Sequence, residues 1–337
     1  MKNIYFQLTK VIGRDIISVV VDKKENSITL VKLIGNLMVD NKQRIRIVDA
    51  HHHIWKIKDL DWLKGPTQPR IFGDYSKIKK DYLISDFLMD LQNSGVEKSV
   101  YIQVNWPAKQ EIIEAEWVQE VANEFGWPNA IIGYVDFSSE ESRKTMNRLN
   151  SLPLMRGVRQ QLHWHQNPLY CFQPTPDLML EKNWQKNFAL IQDFGWTFEL
   201  QVFSSQMKNA SLFAKTFPDI KMMLQHCGMP EDTSDAGMEK WREGMKRLAE
   251  HNNIYCKFSG LGTFIHKNDP NFISDITGEC LEMFGNNRCI FGSNYPIEKI
   301  WSDYDSIVKA FIDSTAKLSK ESQLNIMRCN AEKFYNL

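Results

Sequence analysis

The chain has 337 residues and a formal net charge of zero, with 41 Lys and Arg balancing 41 Asp and Glu. Hydrophobic residues make up 43% of the chain and charged residues 24%, which is typical of a globular protein and excludes a disordered or collagen-like one. The neutral balance disfavours a nucleic-acid-binding protein, and no apolar run approaches the roughly 18 residues that cross a membrane.

The first 44 residues differ in pattern from the rest and are predicted to form an N-terminal extension. Two β-branched runs, Ile16–Val21 and Ser27–Ile34, flank the polar stretch Lys23-Lys24-Glu25-Asn26, and this arrangement predicts a β-hairpin. A disordered extension is the alternative, because chain termini often lack order. Residues 45–337 are predicted to form one separate domain.

From residue 45 onward, short β-branched runs alternate with longer segments of helical period. Eight strand–helix repeats predict parallel strands with right-handed crossovers, and eight such units close into a (β/α)8 TIM barrel. An open doubly wound sheet is disfavoured, because no GxGxxG turn follows the first strand. The predicted strands are Arg46–Ala50, Ser99–Val104, Ile131–Phe137, Arg156–Leu162, Thr197–Phe203, Lys221–Gln225, Ile254–Phe258 and Arg288–Phe291.

Three consecutive histidines, His51, His52 and His53, follow the first barrel strand, at the end where barrel enzymes place their active sites. Because side chains alternate along a strand, Asp49, His51 and His53 are predicted to face the barrel mouth together, with His52 on the other side. Two imidazoles spaced in this way can bind one divalent metal ion. A polar barrel end without a metal is the plainer alternative.

Three further side chains are predicted to reach the same mouth. His226 ends the sixth predicted strand, and Asn294 lies in the sharp turn after the eighth. Arg159 is predicted to face inward on the fourth strand, which is costly unless it meets a carboxylate or an anionic substrate.

A second set of polar and aromatic residues is predicted to contact the substrate. Gln103 and Glu199 interrupt otherwise apolar strands and therefore need polar partners. His163 and His165 follow the fourth strand, where contacts to a loop or to substrate are favoured over metal ligation. Trp106 follows the second strand and could form a flat wall for a ring-shaped substrate, although a simple hydrophobic lid is equally consistent with the pattern.

Five motifs, found in order between residues 48 and 296, resemble those of the amidohydrolase superfamily of metal-dependent TIM-barrel hydrolases. The resemblance is to its amidohydrolase-related (amidohydrolase 2) branch, which includes fuconolactonase-like and pyrone-dicarboxylate-lactonase-like lactonases. The motifs are Val48-Asp49-Ala50-His51-His52-His53-Ile54-Trp55, Gly157-Val158-Arg159-Gln160, Gln225-His226-Cys227-Gly228-Met229-Pro230, Lys257-Phe258-Ser259-Gly260-Leu261 and Phe291-Gly292-Ser293-Asn294-Tyr295-Pro296.

The resemblance implies that His51 and His53 form a metal pair and that His226 ligates the metal or polarises the substrate carbonyl. It also implies that Arg159 grips a substrate carboxylate. Asn294 departs from the family, which usually has at this place an aspartate that binds metal and accepts a proton from water. An amide cannot act as a general base and is a poor ligand for a transition metal.

Two expectations follow from this departure. The cofactor is expected to be one divalent ion, zinc or manganese, or else the enzyme works without a metal because Asn294 replaces the aspartate. Activation of water is expected to fall to a histidine, to Asp49 or to Glu199.

The leading hypothesis is a hydrolase that opens a lactone or similar cyclic ester of a small anionic metabolite. A non-oxidative decarboxylase of the same superfamily and a non-catalytic binding protein on this scaffold are the alternatives. The expected partner is a small-molecule substrate, without nucleic acid or membrane, and a homo-oligomer is left open. Six cysteines without a CxxC pair are expected to be reduced thiols of a cytoplasmic protein.

Overall fold

The computed structural model describes residues 5–12, 15–22 and 45–337 of the chain. Clustering of backbone contacts gives two compact units, which divide after residue 45. The first unit contains an antiparallel pair of strands, β1 (Tyr5–Ile12) and β2 (Asp15–Asp22).

The second strand of the hairpin pairs with a different segment from the one predicted. The predicted run Ile16–Val21 lies within β2, but β2 pairs with β1, whereas the predicted partner Ser27–Ile34 lies outside the described residues. Only Gly13 and Arg14 separate β1 from β2 in the sequence. Two-residue connections that begin with glycine are among the commonest links between paired strands. The prediction did not use this spacing and paired Ile16–Val21 with a later run instead.

The second unit is a TIM barrel of eight parallel strands, which pair in chain order. The backbone N–H of His53 donates to the carbonyl of Tyr295 at 2.8 Å, which joins the first barrel strand to the last. The prediction of a (β/α)8 barrel is confirmed, and the open sheet is excluded. The strands are β3 (Ile47–His52), β4 (Val96–Ile102), β5 (Ala130–Gly133), β6 (Met155–Val158), β7 (Thr197–Leu200), β8 (Met222–Leu224), β9 (Ile254–Phe258) and β10 (Cys289–Phe291).

The helices of this unit follow the strands along the chain. None of those in the described residues is long and apolar enough to cross a membrane. The α-helices are Asp61–Lys64, Ile84–Asp90, Glu111–Phe125, Ser142–Leu149, Lys182–Phe188, Ile191–Phe194, Met207–Thr216, Asp235–Ala249, Gly262–Ile265, Pro270–Phe284, Tyr304–Ser314, Lys320–Leu324 and Asn330–Tyr335, with a π-helix at Asn325–Cys329.

An apolar cluster of buried residues lies within the barrel unit. It joins Val48 and Ala50 of β3 to residues of other strands and to Phe334 and Tyr335 of the last helix. Burial of this apolar surface stabilises the barrel by roughly 25 cal/mol per Å². Barrels of this kind bind their ligands at the carboxyl ends of the strands, where the histidines lie.

All six cysteines lie within residues 45–337, and all are free thiols. Cys227, Cys256, Cys280 and Cys289 are buried, as expected for reduced thiols that pack as small apolar side chains. The sulfur atoms of Cys227, Cys256 and Cys280 lie within 4.8 Å of one another.

Candidate active site

Three imidazoles meet at the carboxyl end of the barrel. The ring centroid of His51 lies 5.0 Å from that of His53 and 4.9 Å from that of His226. All three side chains are buried, and His51 has no exposed surface. The structure therefore brings together two histidines from one strand and a third from across the barrel, as the sequence predicted.

Hydrogen bonds hold the two outer rings in place. Nδ1 of His53 donates to the carbonyl of Ile102 at 2.7 Å, which leaves Nε2 as an acceptor. Nδ1 of His226 lies 2.9 Å from Oγ of Ser259. Both ring nitrogens of His51 are buried and have no hydrogen-bond partner within the described part of the chain. Buried polar atoms rarely lack partners, so His51 is the ring of this cluster that most needs a ligand.

The surroundings of the cluster keep its imidazoles neutral. Burial and, to a smaller extent, the nearby positive charge of Arg159 lower the pKa of His53 to about 3. Burial also holds the pKa of His51 and of His226 well below the usual value, and the charges of Lys257 and Arg159 act in the same direction. Neutral imidazole is the form that ligates a metal ion.

Two glycines make room for the cluster. A Cβ added at Gly292 would lie 2.7 Å from Cβ of His51, and one added at Gly260 would lie 2.4 Å from Nδ1 of His226. Neither position can therefore carry a larger side chain without moving a histidine. Both glycines belong to motifs that resemble those of the amidohydrolases. The close approach of the histidines explains why glycine occupies these two positions of the motifs.

Asp49 does not face the mouth beside the histidines, so this part of the prediction was wrong. The ladder between β3 and β4 is irregular between Asp49 and His52, and such an irregularity breaks strict alternation of side chains. The Asp49 carboxylate instead accepts hydrogen bonds from the backbone N–H and hydroxyl of Ser293, at 2.8 and 2.6 Å, and from the Tyr304 hydroxyl at 2.7 Å. Asp49 thus joins β3 to the turn after β10.

Asn294 lies at the predicted place, next to the imidazoles. Its backbone N–H donates to the carbonyl of His51 at 2.7 Å, and its φ of 55° lies in the left-handed region that asparagine tolerates. The amide nitrogen Nδ2 lies 3.5 Å from Oε1 of Glu298.

Arg159 is held from both sides within the barrel. One terminal nitrogen donates to the side-chain oxygen of Gln225 at 3.1 Å, and the other donates to the backbone carbonyl of Gln103. Nε is buried and has no partner in residues 45–337. Each terminal nitrogen keeps a second N–H, so these two contacts orient the guanidinium beside the cavity that it lines and leave donors free.

A buried ion pair lies beneath Arg159. Nζ of Lys257 lies 2.6 Å from Oε2 of Glu199, and neither side chain has exposed surface. The same Glu199 oxygen accepts from Gln225 at 2.8 Å, and the other oxygen accepts from the Tyr335 hydroxyl. Glu199 therefore supports Arg159 through Gln225 and does not reach a substrate.

A cavity of about 300 Å³ opens above the imidazoles. Five of the predicted site residues line it: His53, Arg159, His163, His226 and Asn294. Seven aromatic side chains contribute to its other walls, which suits a ring-shaped ligand of metabolite size. The aromatic lining residues are Trp55, Trp62, Phe72, Tyr170, Phe172, Phe203 and Phe264.

A family model described as Amidohydrolase matches residues 48–337. The chain belongs to the amidohydrolase family. A protein of Sinorhizobium fredii, named only as y4mH, is 32% identical over 295 residues, which cover 87% of this chain and 99% of that protein. The family confirms the resemblance drawn from the motifs and the class of the enzyme, a hydrolase.

Two further relatives carry more specific names. An L-fucono-1,5-lactonase of Burkholderia ambifaria is 25% identical over 261 residues, which cover 75% of this amidohydrolase and 81% of the lactonase. The fold matches the crystal structure of a Burkholderia multivorans amidohydrolase with bound zinc, with a TM-score of 0.73 and 21% identity over 87% of this chain and 99% of that one. The amidohydrolase is therefore lactonase-like.

The remaining predicted residues lie off the cavity of the amidohydrolase. Gln103 accepts from the backbone N–H of Asn105 at 2.7 Å, and its amide nitrogen has no partner among the described residues. Trp106 packs against Trp117 with ring centroids 5.9 Å apart. His165 accepts at Nδ1 from the N–H of Asn167 at 2.9 Å, in a local turn. These contacts lie within the protein. The alternation of side chains along a strand could not distinguish these three residues from residues that line the cavity.

His163 behaves differently from His165. It lines the cavity between Phe172 and Phe203, with ring centroids 5.2 and 5.6 Å away. Burial lowers its pKa to about 3, so it is neutral. His163 is therefore placed to contact a bound ligand.

Arg70 and Glu298 were missed by the sequence reasoning. Arg70 lines the cavity from the long loop after β3, and Glu298 follows Asn294 by four residues. Arg70 carries no periodic signal, because loops have none. Glu298 could have been found from its spacing, since residues four apart meet when the turn after a strand becomes helical.

Proposed function

We propose that this amidohydrolase opens the ring of a cyclic ester, a lactone, by attack of water. The observation that carries the proposal is the cluster of three neutral imidazoles, of which His53 and His226 line the cavity and His51 has no partner for either ring nitrogen among the described residues. A ring-shaped substrate fits the cavity walls, and its carbonyl would lie against the imidazoles. The names of the Burkholderia relatives support a lactone as the class of substrate.

The donor chemistry of the cluster suits one divalent ion, zinc or manganese. His51, His53 and His226 would hold it, because three neutral imidazoles suit such metals and leave coordination positions open. When bound, the ion supplies Lewis-acid polarisation of the carbonyl and lowers the pKa of a water molecule towards about 7. The neutrality of the imidazoles, which burial and two nearby cations maintain, keeps the donor set available near neutral pH.

The protein residues around the cluster would bind and orient the substrate. The Asn294 amide lies on the cavity wall and carries no ionisable proton, so it would orient the carbonyl or the water by hydrogen bonding. Asp49 and Glu199, which the sequence offered as water-activating groups, are saturated by donors and lie off the cavity. The imidazoles are therefore the groups that would contact the reacting atoms.

Product analysis on a panel of lactones tests the proposal. We expect the purified protein to convert at least one lactone to its hydroxy acid, with no release of carbon dioxide from aromatic carboxylates offered in parallel. Incubation in ¹⁸O-water should place the label in the new carboxylate. Carbon dioxide release without lactone opening would support the decarboxylase alternative. Absence of turnover with both groups of substrates would support the alternative of a non-catalytic binding protein.

A further inference from the structure

A second cation, Arg70, lines the cavity together with Arg159. Arg70 lies in the loop between the helices Asp61–Lys64 and Ile84–Asp90, and its side chain borders the same cavity as His53 and Asn294. The proposed hydrolysis does not use it.

The loop that carries Arg70 is fastened to the barrel on both sides. Nε1 of Trp62 donates to the carbonyl of Val104 at 2.9 Å. Nε2 of His266 lies 2.8 Å from the carbonyl of Ile71, and the His266 ring stacks on Trp301. Arg70 is therefore held over the cavity rather than displayed on a free surface loop.

The guanidinium of Arg70 is positioned by aromatic rings rather than by carboxylates. Its central carbon lies 5.1 Å from the ring centroid of Trp62 and 6.0 Å from that of Tyr75. Nε is buried and unpartnered within residues 45–337. Stacking fixes the plane of a guanidinium while it leaves the N–H edge free, which is the geometry that binds a carboxylate with two parallel hydrogen bonds.

The other charged residues of the cavity are already paired. Each terminal nitrogen of Arg159 donates one hydrogen bond, to Gln225 and to Gln103. Asp61, which also borders the cavity, lies 2.6 Å from Nζ of Lys64. Among the described residues, Arg70 is thus the cavity-lining cation with the fewest hydrogen-bond partners, and a bound anion would provide them.

We propose that Arg70 is a specificity-determining residue that binds a carboxylate carried by the substrate on the side away from the reacting carbonyl. This rests on the proposed lactonase function and deepens it, because it names the substrate class as lactones that bear a carboxylate. It places recognition of this carboxylate on the loop, in addition to any contact that Arg159 makes from the barrel.

Paired ligands test the role of Arg70. The substrates are a δ-lactone that bears a ring carboxylate and the same lactone with a neutral hydroxymethyl group. For Arg70→Met we expect the KM of the carboxylate lactone to rise about tenfold or more, with kcat/KM of the neutral lactone within about twofold of wild type. Arg247→Met, which removes an exposed arginine far along the chain, should change neither. An equal effect of Arg70→Met on both lactones, or none, would overturn the proposal.

Binding of ligands that cannot react separates this proposal from the lactonase function. Tetrahydropyran carboxylate and tetrahydropyran methanol lack the ester, so calorimetry measures their affinity whether or not the protein is a lactonase. We expect wild type to bind the carboxylate at least about tenfold more tightly than the alcohol, and Arg70→Met to lose that preference. Arg70→Lys keeps the charge without the planar fork and should retain part of it, with circular dichroism confirming the fold. Equal affinity of wild type for both ligands would refute the role of Arg70.

Discussion

The amide nitrogen of Asn294 lies 3.5 Å from a carboxylate oxygen of Glu298, and both side chains are at most 5% exposed. The two oxygens of Glu298 also accept from the backbone N–H of Gly262 and from the hydroxyl of Thr263, each at 3.1 Å. Position 294 thus touches a buried carboxylate that is already in place. A second carboxylate there would meet like charge at short range, which is a physical reason for an amide at this position.

Asn294→Asp should therefore destabilise the protein at alkaline pH. We expect a loss of roughly 2 kcal/mol at pH 8, because two adjacent buried carboxylates repel each other. The double variant Asn294→Asp/Glu298→Gln, which restores a single carboxylate, should recover most of the loss. Urea unfolding with a chelator present measures the coupling of the two sites, and simple additivity of the two changes would contradict this reading.

Glu298 should make stability depend on pH. Burial raises its pKa from 4.5 to about 7, so its contribution to stability is fully present below pH 4.5 and is lost as pH rises through about 7. The free energy of unfolding should fall between pH 5 and 8, with a contribution from Glu298 of up to about 3 kcal/mol.

Glu298→Gln isolates this contribution. The variant cannot ionise, so its stability should fall less between pH 5 and 8 than that of wild type. Denaturant titrations at several pH values measure the slope, with Glu250→Gln, a change at an exposed residue, as the control. A Glu298→Gln slope equal to that of wild type would exclude a buried, titrating Glu298.

The buried pair of Glu199 and Lys257 should be costly to break from one side. Glu199→Gln leaves the Lys257 ammonium without its counter-charge, and we expect a loss of about 3–5 kcal/mol. Glu199→Gln/Lys257→Met removes both charges and should cost less than the sum of the two single changes. A double-mutant cycle from chemical unfolding tests this, and it fails if the costs add.

Metal content should distinguish His51 from its neighbour His52. His52 stacks on Phe87 with ring centroids 4.0 Å apart, and its Nε2 lies 2.9 Å from the Ser99 hydroxyl, so it faces away from the cluster. Elemental analysis of protein purified without chelator should find about one divalent ion per chain. His51→Ala should lose it and His52→Ala should keep it. Equal metal content in the two variants would contradict the assignment.

The sequence was sufficient to predict the barrel and the histidine cluster, because both depend on local patterns. Strand runs recur between helical periods, and His51, His53 and His226 lie at or just beyond the carboxyl ends of strands, where the fold itself brings them together. The family match and the barrel confirm the predicted architecture.

Other features of the site depend on geometry that sequence periodicity cannot show. The irregularity in β3 turned Asp49 away, since a shift of one residue exchanges the faces of a strand. Arg159 and Glu199 were correctly expected to need partners, but only the structure shows that those partners are other protein groups. Arg70 reaches the cavity through a long loop, whose path no local pattern predicts.

If the imidazole cluster opens a lactone ring, substitution of its histidines should lower the rate of ring opening. The rate would be followed in a pH-stat for wild type, His53→Ala and His226→Ala, with His251→Ala as a control, because His251 pairs with Ser211 outside the cavity. We expect kcat/KM to fall at least about a hundredfold in the two cluster variants and to stay near wild type in the control. Equal ring-opening rates in all four proteins would show that the imidazole cluster does not open the lactone ring.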